Sequence, residues 1–274
     1  MNIVWLFEKD LWREENDAMK LAVEKNGYNW REIEYIPFSE PDYSNIQQPG
    51  EVCIFYGSLN LAKKLRPCVK GVYCDLPKFE CTNYYSYHGK YLLNQEYVML
   101  PFGELERKHL DLFDSFYGHI YCDAFLFIRP SSGFKLFTGQ TISCNNFERD
   151  FQRLGYNPVD ADKIVILSYP KKIEKEWRVV VVNGKAITSS EYKVRGFPIS
   201  SPTLAKDIKS VHGLAEEIAA TYSPEPIFCL DIGIETVERG LKLIEINSFS
   251  CSGLYKCDKE KIVKSVSEAT LEDM

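Results

Sequence analysis

The chain is poor in the residues and runs that mark several common function classes. It has four histidines, and its nine cysteines form no CxxC pair. A structural zinc site is therefore not expected, and the thiols read as reduced. No apolar run approaches the roughly 20 residues needed to cross a bilayer. The start, "MNIVWLFEKDLW", turns charged after six residues and lacks the basic and apolar regions of a signal peptide. These absences lead to the expectation of a cytoplasmic protein with no membrane partner. The glycine-rich dinucleotide fingerprint is missing, as is the Walker pattern G-x-x-x-x-G-K-[ST]. No Ser-His-Asp or Cys-His arrangement stands out either. A net charge of −6 over 274 residues argues against a general nucleic-acid surface, and nucleic acid is not an expected partner.

What is present is an ordinary globular balance, 45% hydrophobic and 26% charged, in a chain long enough for one large domain or two smaller ones. The first 80 residues alternate strand and helix signals. "NIVWLF" (2–7), "REIEYIPF" (31–38), "EVCIFYGS" (51–58) and "GVYCD" (71–75) read as strands. "REENDAMKLAVEKNG" (13–27) reads as an amphipathic helix closed by Gly27, and "LNLAKKL" as a short one. Such alternation favours a small parallel sheet covered by helices. "TNYYSYHGKYLL" (82–93) reads as a tyrosine-rich connector.

Beyond it come a strand at 97–102, a helix at about 104–117, and strands at 124–130 and 136–143 with a turn between them. A capped helix at 145–155 ends at Gly155. From residue 163 the pattern becomes antiparallel. "EWRVVVV-NG-KAITSSEYK" is a hairpin whose Asn183-Gly184 suits a type I′ turn. A helix at about 203–221 follows. A second hairpin, "IFCLDIGIETVERGLKLIEIN", turns near Glu238 to Gly240, and a last helix occupies about 258–270. The fold class is α+β, with a β/α front (residues 1–85) and a hairpin-rich region (residues 86–274).

Three polar constellations interrupt these apolar elements. In the second hairpin, strand alternation places Leu243, Glu245 and Asn247 on one face, with Asp231 on the partner strand roughly opposite Asn247. Two carboxylates and an amide suit a hard cation such as magnesium, and a wet hairpin face would look the same. In "FIRPSSGFKLFTGQ", Arg129 ends a strand and a small-residue turn presents Lys135 and Gly139. This is either a phosphate cradle or a basic hairpin tip. In the first hairpin, Arg178 and Glu176 share a face with Val180 and Val182, and Lys193 lies on the return strand. Such an arginine is either paired structurally or presented to an anionic ligand.

The order of the pieces "FIRP", "SSGFKLFTG", "VILSYP", "EWR", "EYK", "CLDIG" and "LIEINS" resembles the ATP-grasp superfamily. That family usually has Lys before the first Pro. Arg129 in that place, with a less glycine-rich loop, is similar to an arginine-using subgroup met in bacteria and phages. The resemblance implies an ATP-grasp fold, two α+β subdomains clasping ATP, preceded by a small Rossmann-like domain.

It also implies that Arg129 and Lys135 hold the ATP phosphates and that Leu167, Ser168 and Tyr169 face the adenine. Asp231, Glu245 and Asn247 would bind magnesium, in two ions. Arg178 and Lys193 would meet the transferred phosphoryl group or acyl phosphate. Glu176 would orient Arg178 or touch the nucleotide. The implied activity is an ATP-dependent carboxylate–amine ligase forming an amide through an acyl phosphate. Its partners would be small-molecule or peptide acids and amines, with a protein or modified nucleic acid as acceptor left open. A kinase acting on a small acceptor, or an inactive nucleotide-binding module, are the alternatives on the same fold.

Overall fold

The computed structural model describes residues 2–39, 41–118, 123–134, 136–154, 160–237 and 240–273. Strand β1 (Asn2–Glu8) is followed by helix α1 (Arg13–Lys25), β2 (Asn29–Ile33), β3 (Glu51–Tyr56) and α2 (Leu59–Leu65). Next come α3 (Cys81–His88), β4 (Tyr97–Pro101), α4 (Phe102–Tyr117), β5 (Phe125–Pro130), β6 (Gln140–Ser143), α5 (Phe147–Leu154) and β7 (Ile164–Ser168). The remainder is β8 (Ile173–Val182), β9 (Lys185–Val194), β10 (Phe197–Pro202), α6 (Ala205–Thr221), β11 (Ile227–Glu235), β12 (Leu241–Ser248) and α7 (Lys259–Glu272). The chain divides into two compact units, residues 1–78 with 173–274, and residues 79–172.

The first unit holds two sheets. A parallel sheet of order β2-β1-β3 comes from the front of the chain, and an antiparallel sheet of order β10-β9-β8-β11-β12 from the back. β1 is buried along six of its seven residues because it is the inner strand of a parallel sheet covered on both faces. Its Ile3, Trp5 and Phe7 share one core with Val180 and Val182 of β8, Cys229 of β11, and Ile262 and Val266 of α7. Helix α1 stops where Gly27 turns left-handed at φ 76°. Helices α2 and α7 start on side-chain caps, with Ser58 accepting from the Leu61 N–H and Asp258 from the Lys261 N–H. Asn183 and Gly184 take φ values of 47° and 76°, the pair of positive angles a type I′ turn requires.

Two front-end expectations are corrected. The segment read as a strand over 71–75 makes a single bridge, Ile54 to Gly71, and no ladder. The strand expected over 31–38 is β2, which begins at Asn29 and ends at Ile33.

The second unit is an antiparallel sheet of order β4-β7-β5-β6 with α4 and α5 packed on it. Its core joins Leu126 and Ile128 of β5, Val165 and Leu167 of β7, and Phe113 of α4. The expected tyrosine-rich connector is instead helix α3, because Tyr84 and Tyr85 each bury their rings to within 2% of full burial. Gly155, the expected end of α5, lies outside the described residues, as do Glu238 and Arg239 of the second hairpin turn. Among the described residues no helix is long and apolar enough to cross a membrane.

Candidate active site

The polar cluster lies on one face of the five-stranded sheet, and two β-bulges create it. Between β11 and β12, Ile232 pairs with Leu243 but Asp231 pairs with Glu245, leaving Ile244 as an extra residue. Residues directly opposite each other in an antiparallel pair share a face. Without the bulge Asp231 would face Ile244, and Glu245 and Asn247 would sit on the other side. The expectation that Leu243 shares the polar face is therefore corrected. Leu243 is opposite Ile232, on the reverse face, and is fully buried. The expected opposition of Asp231 and Asn247 is likewise replaced, since Asn247 pairs with Cys229.

The second bulge is in β9. Glu176 pairs with Lys193 and Trp177 with Glu191, so Tyr192 is the extra residue. Its hydroxyl donates to Glu176 Oε2 at 2.6 Å and lies 3.4 Å from Asp231 Oδ2. Bulges re-aim side chains in this way beside functional sites.

Six of the expected site residues meet here. Arg178, on β8 opposite Asp231, grips that carboxylate with two N–H groups, Nε to Oδ1 at 2.5 Å and Nη2 to Oδ2 at 3.0 Å. Its Nη1 donates to the Gly253 carbonyl at 2.9 Å. Asn247 Nδ2 donates to Asp231 Oδ2 at 3.3 Å and to Glu245 Oε1 at 2.9 Å. Lys193 Nζ stands 3.2 Å from Glu176 Oε1. Arg178 and Asp231 are buried, at 5% and 2% exposure, while Glu245 is half-buried.

Tyr192 and Tyr255 join the site without a signal in the sequence. Their rings stack at 4.9 Å, with the Arg178 guanidinium 5.9 and 5.6 Å from the two centroids. "EYK" carries Tyr192, but nothing local announces the bulge that turns it inward.

Burial controls the electrostatics. It pushes the Asp231 carboxyl up to about 6, against the pull of Arg178 and with help from the neighbouring Glu245 charge. Burial also works against the charge on Arg178, yet Asp231 beside it holds the guanidinium pKa well above its ordinary range. The Tyr192 hydroxyl is raised, first by burial and then by Asp231 and Glu176.

The donor set tests well for a hard cation. Two carboxylates adjacent across a strand pair, joined by an amide, supply the oxygen chemistry, and a divalent ion would relieve their mutual repulsion while sharing the Asp231 oxygens with Arg178. Among the described residues no group of three His, Cys, Asp or Glu is placed to hold a metal, so the third ligand would be the Asn247 amide.

The remaining expected residues lie in the second unit. Arg129 is half-buried near the end of β5, opposite Ile166 of β7. Gly139 lies close beneath that strand. A Cβ there would come within 2.7 Å of the tip of the Phe127 ring and 3.5 Å of the Arg129 Cβ, so a larger residue would have to displace that ring. Leu167 and Ser168 pair with both β4 and β5 and are fully buried. The Ser168 hydroxyl has no hydrogen-bond partner among the described residues. Tyr169 follows the strand, half-buried, with its hydroxyl donating to the Phe116 carbonyl. Lys135 lies outside the described residues.

A family model described as ATP-grasp domain, R2-K clade family 3, matches residues 102–266, more than half of the chain. No curated protein sequence matches the chain. Among solved structures, the D-cycloserine synthetase DcsG superposes with a TM-score of 0.67 at 11% identity, over 98% of this chain and 100% of that one. The D-alanine–D-alanine ligase from Bacillus anthracis gives 0.62 at 11% identity, over 100% and 98%. The ATP-grasp ligase PsnB, complexed with minimal precursor, Mg and ADP, gives 0.53 at 11% identity, over 98% and 97%. At these identities the likeness is one of fold. With the family match, the ordered motifs and the sheet-borne acidic cluster in agreement, the chain belongs to the ATP-grasp superfamily, as a member of family 3 of that clade.

Proposed function

We propose that the protein is an ATP-dependent carboxylate–amine ligase, forming a carbon–nitrogen bond through an acyl phosphate. The observation that carries this reading is the convergence of Asp231, Glu245 and Asn247 with Arg178 on one sheet face, with no nucleophilic side chain among them. Three structural neighbours, named as a synthetase and two ligases, support it.

In this reading Arg129 and Lys135 bind ATP phosphates, and the stretch from Leu167 through Ser168 to Tyr169 borders the adenine. Asp231, Glu245 and Asn247 would hold magnesium, in two ions, which would supply charge neutralisation for the phosphates. Arg178 is fixed by Asp231 and the Gly253 carbonyl, so its charge stays in place without reorganising as the reaction proceeds. Glu176, held by Tyr192 and Lys193, keeps Lys193 at the edge of the site.

The acid substrate's carboxylate oxygen attacks the γ-phosphorus and ADP leaves. The amine nitrogen then attacks the acyl carbon, phosphate leaves, and the amine loses a proton. Positioning and charge account for such a phosphoryl transfer without covalent help from the protein. Residues 1–85 serve as the front domain that shapes the acceptor side, and residues 86–274 as the catalytic region.

The test is a screen of acids crossed with amines, read by release of ADP and free phosphate. Release that requires both an acid and an amine is expected. ADP formation with a hydroxyl acceptor alone would overturn the ligase reading.

A further inference from the structure

The loop after β12 carries a feature that the ligase chemistry does not use. Cys251 Sγ lies 3.6 Å from Cys74 Sγ, across 177 residues of sequence. The two backbones are fastened at the residues just before this contact. The Ser250 N–H donates to the Tyr73 carbonyl at 3.3 Å, and the Tyr73 N–H to Ser250 Oγ at 2.9 Å. Ser250 is held again by the Gly57 N–H on its carbonyl at 2.8 Å. The neighbouring residues 74 and 251 are thereby kept face to face. Closing 3.6 Å to the roughly 2.05 Å of a disulfide asks for a small local shift.

The two thiols are also unequal. Cys251 donates its S–H to the Cys74 sulfur, which holds the Cys74 thiol below its ordinary pKa and raises that of Cys251. Arg66 favours the Cys74 thiolate further. Cys74 itself is 4% exposed, and it is one of the residues in the wall of a cavity of about 610 Å³ that is also lined by Arg66, Lys78, Asp75 and Glu225, the side from which a small oxidant would approach.

We infer that Cys74 and Cys251 form a peroxide-sensitive dithiol that closes reversibly to a disulfide and thereby sets the position of the loop over Arg178. The Cys74 thiolate attacks one oxygen of hydrogen peroxide and hydroxide leaves, giving a sulfenic acid. The Cys251 sulfur then attacks the sulfenic sulfur, its proton leaving with the displaced hydroxide as water. Two electrons pass from the two sulfurs to one peroxide. The loop responds because the Ser252 carbonyl accepts from the Tyr56 hydroxyl at 2.7 Å and the Gly253 carbonyl accepts from Arg178 at 2.9 Å. A shift begun at Cys251 reaches the guanidinium within two residues.

The effect on turnover rests on the ligase reading; formation of the cross-link does not. The full-length protein is treated with hydrogen peroxide, trapped with an alkylating agent and mapped by mass spectrometry without reduction. Magnesium-dependent ATP turnover is measured in parallel with an acid and amine pair that supports it in the screen. A Cys74–Cys251 cross-linked peptide, lost on dithiothreitol, is expected together with a reversible fall in turnover of about tenfold. Cys251→Ala is expected to keep the untreated rate and lose the peroxide response, and Cys74→Ser provides the same test from the other sulfur. Peroxide treatment that leaves the two residues unlinked, or carries Cys74 to sulfinic acid, overturns the proposal whatever the rate does. A cross-link with unchanged turnover overturns the coupling to Arg178. An untreated protein with no ATP turnover under any acid and amine pair of the screen sinks the ligase reading and leaves the peptide map to decide the cross-link.

Discussion

Asp231 and Glu245 face each other across β11 and β12 because Ile244 is squeezed out of the ladder between them. Of the resulting pair of carboxylates, tied by the Asn247 amide, Glu245 is the member less useful for folding. Asp231 already has Arg178, whereas Glu245 is half-buried and adds negative charge beside it. Glu245→Ala should therefore leave the fold intact and cost activity. Magnesium-dependent ATP turnover is expected to fall by more than about 100-fold, beyond the range seen when a ligand's supporting group is lost. Near-normal turnover in a variant with an unchanged melting curve would remove Glu245 from the metal site.

Much of this arrangement can be read in the residues themselves. The Asn183-Gly184 turn, the antiparallel back half and the sharing of a face by Glu176 and Arg178 follow from local period and turn chemistry. The convergence of Asp231 with Glu245 and Asn247 is also legible, but its register is not. A bulge depends on tertiary packing. Ile244 fits as the extra residue because Gly233 leaves room for it, a Cβ there lying 2.8 Å from Ile244 Cδ1. That glycine, in "CLDIG", is the one local cue. Tyr192 escapes a local reading for the same reason. The tyrosine-rich segment misleads because its composition suggests a connector, while burial of Tyr84 and Tyr85 makes helix α3.

The Arg178–Asp231 pair should behave as a buried ion pair in stability measurements. Arg178→Met removes the guanidinium and strands a carboxylate that is 2% exposed. Removing one partner of such a pair costs about 3–5 kcal/mol. Asp231 titrates already near 6 and keeps Tyr192 and Asn247 as neighbours, so the cost should fall at the lower end of that range. The double variant Arg178→Met/Asp231→Leu should recover most of the loss, since no uncompensated charge remains. Urea unfolding of the wild type, both single variants and the double variant closes the cycle. Additive losses would show that the two groups are energetically independent.

Glu225 should make stability fall as pH rises. It is 9% exposed, accepts the Asp75 N–H at 3.2 Å through Oε1, and has no hydrogen-bond partner at Oε2 among the described residues. Burial carries its pKa from 4.5 up to about 8. Between those values the folded protein holds a proton that the unfolded chain has lost. Stability is therefore fully present below the unfolded pKa and lost as pH rises through the folded one, by up to about 1.4 kcal/mol per pH unit. Glu225→Gln keeps the shape and removes the titration. His88, whose burial lowers its pKa to about 4, contributes with the opposite sign at acid pH and cancels in the comparison. Urea unfolding of both proteins from about pH 5 to about pH 8 should give a difference that changes steadily across the window. Parallel curves would show that Glu225 is ionised in the fold.

Arg129 offers a graded test of the phosphate assignment. It is half-buried on β5, with Gly139 drawn in beneath the strand. A guanidinium holding phosphate oxygens makes charge-assisted hydrogen bonds worth about 1.5–3 kcal/mol, so Arg129→Ala should raise the KM for ATP about 10- to 100-fold. Arg129→Lys keeps the charge but gives up the planar fork that grips two oxygens at once. Its KM should lie between those of the wild type and the alanine variant. Steady-state kinetics with ATP varied at saturating magnesium distinguish the cases. A lysine variant as impaired as alanine would assign Arg129 to a geometric role in the sheet, because charge alone would then restore nothing. Unchanged KM in both variants would place the phosphates away from β5 altogether.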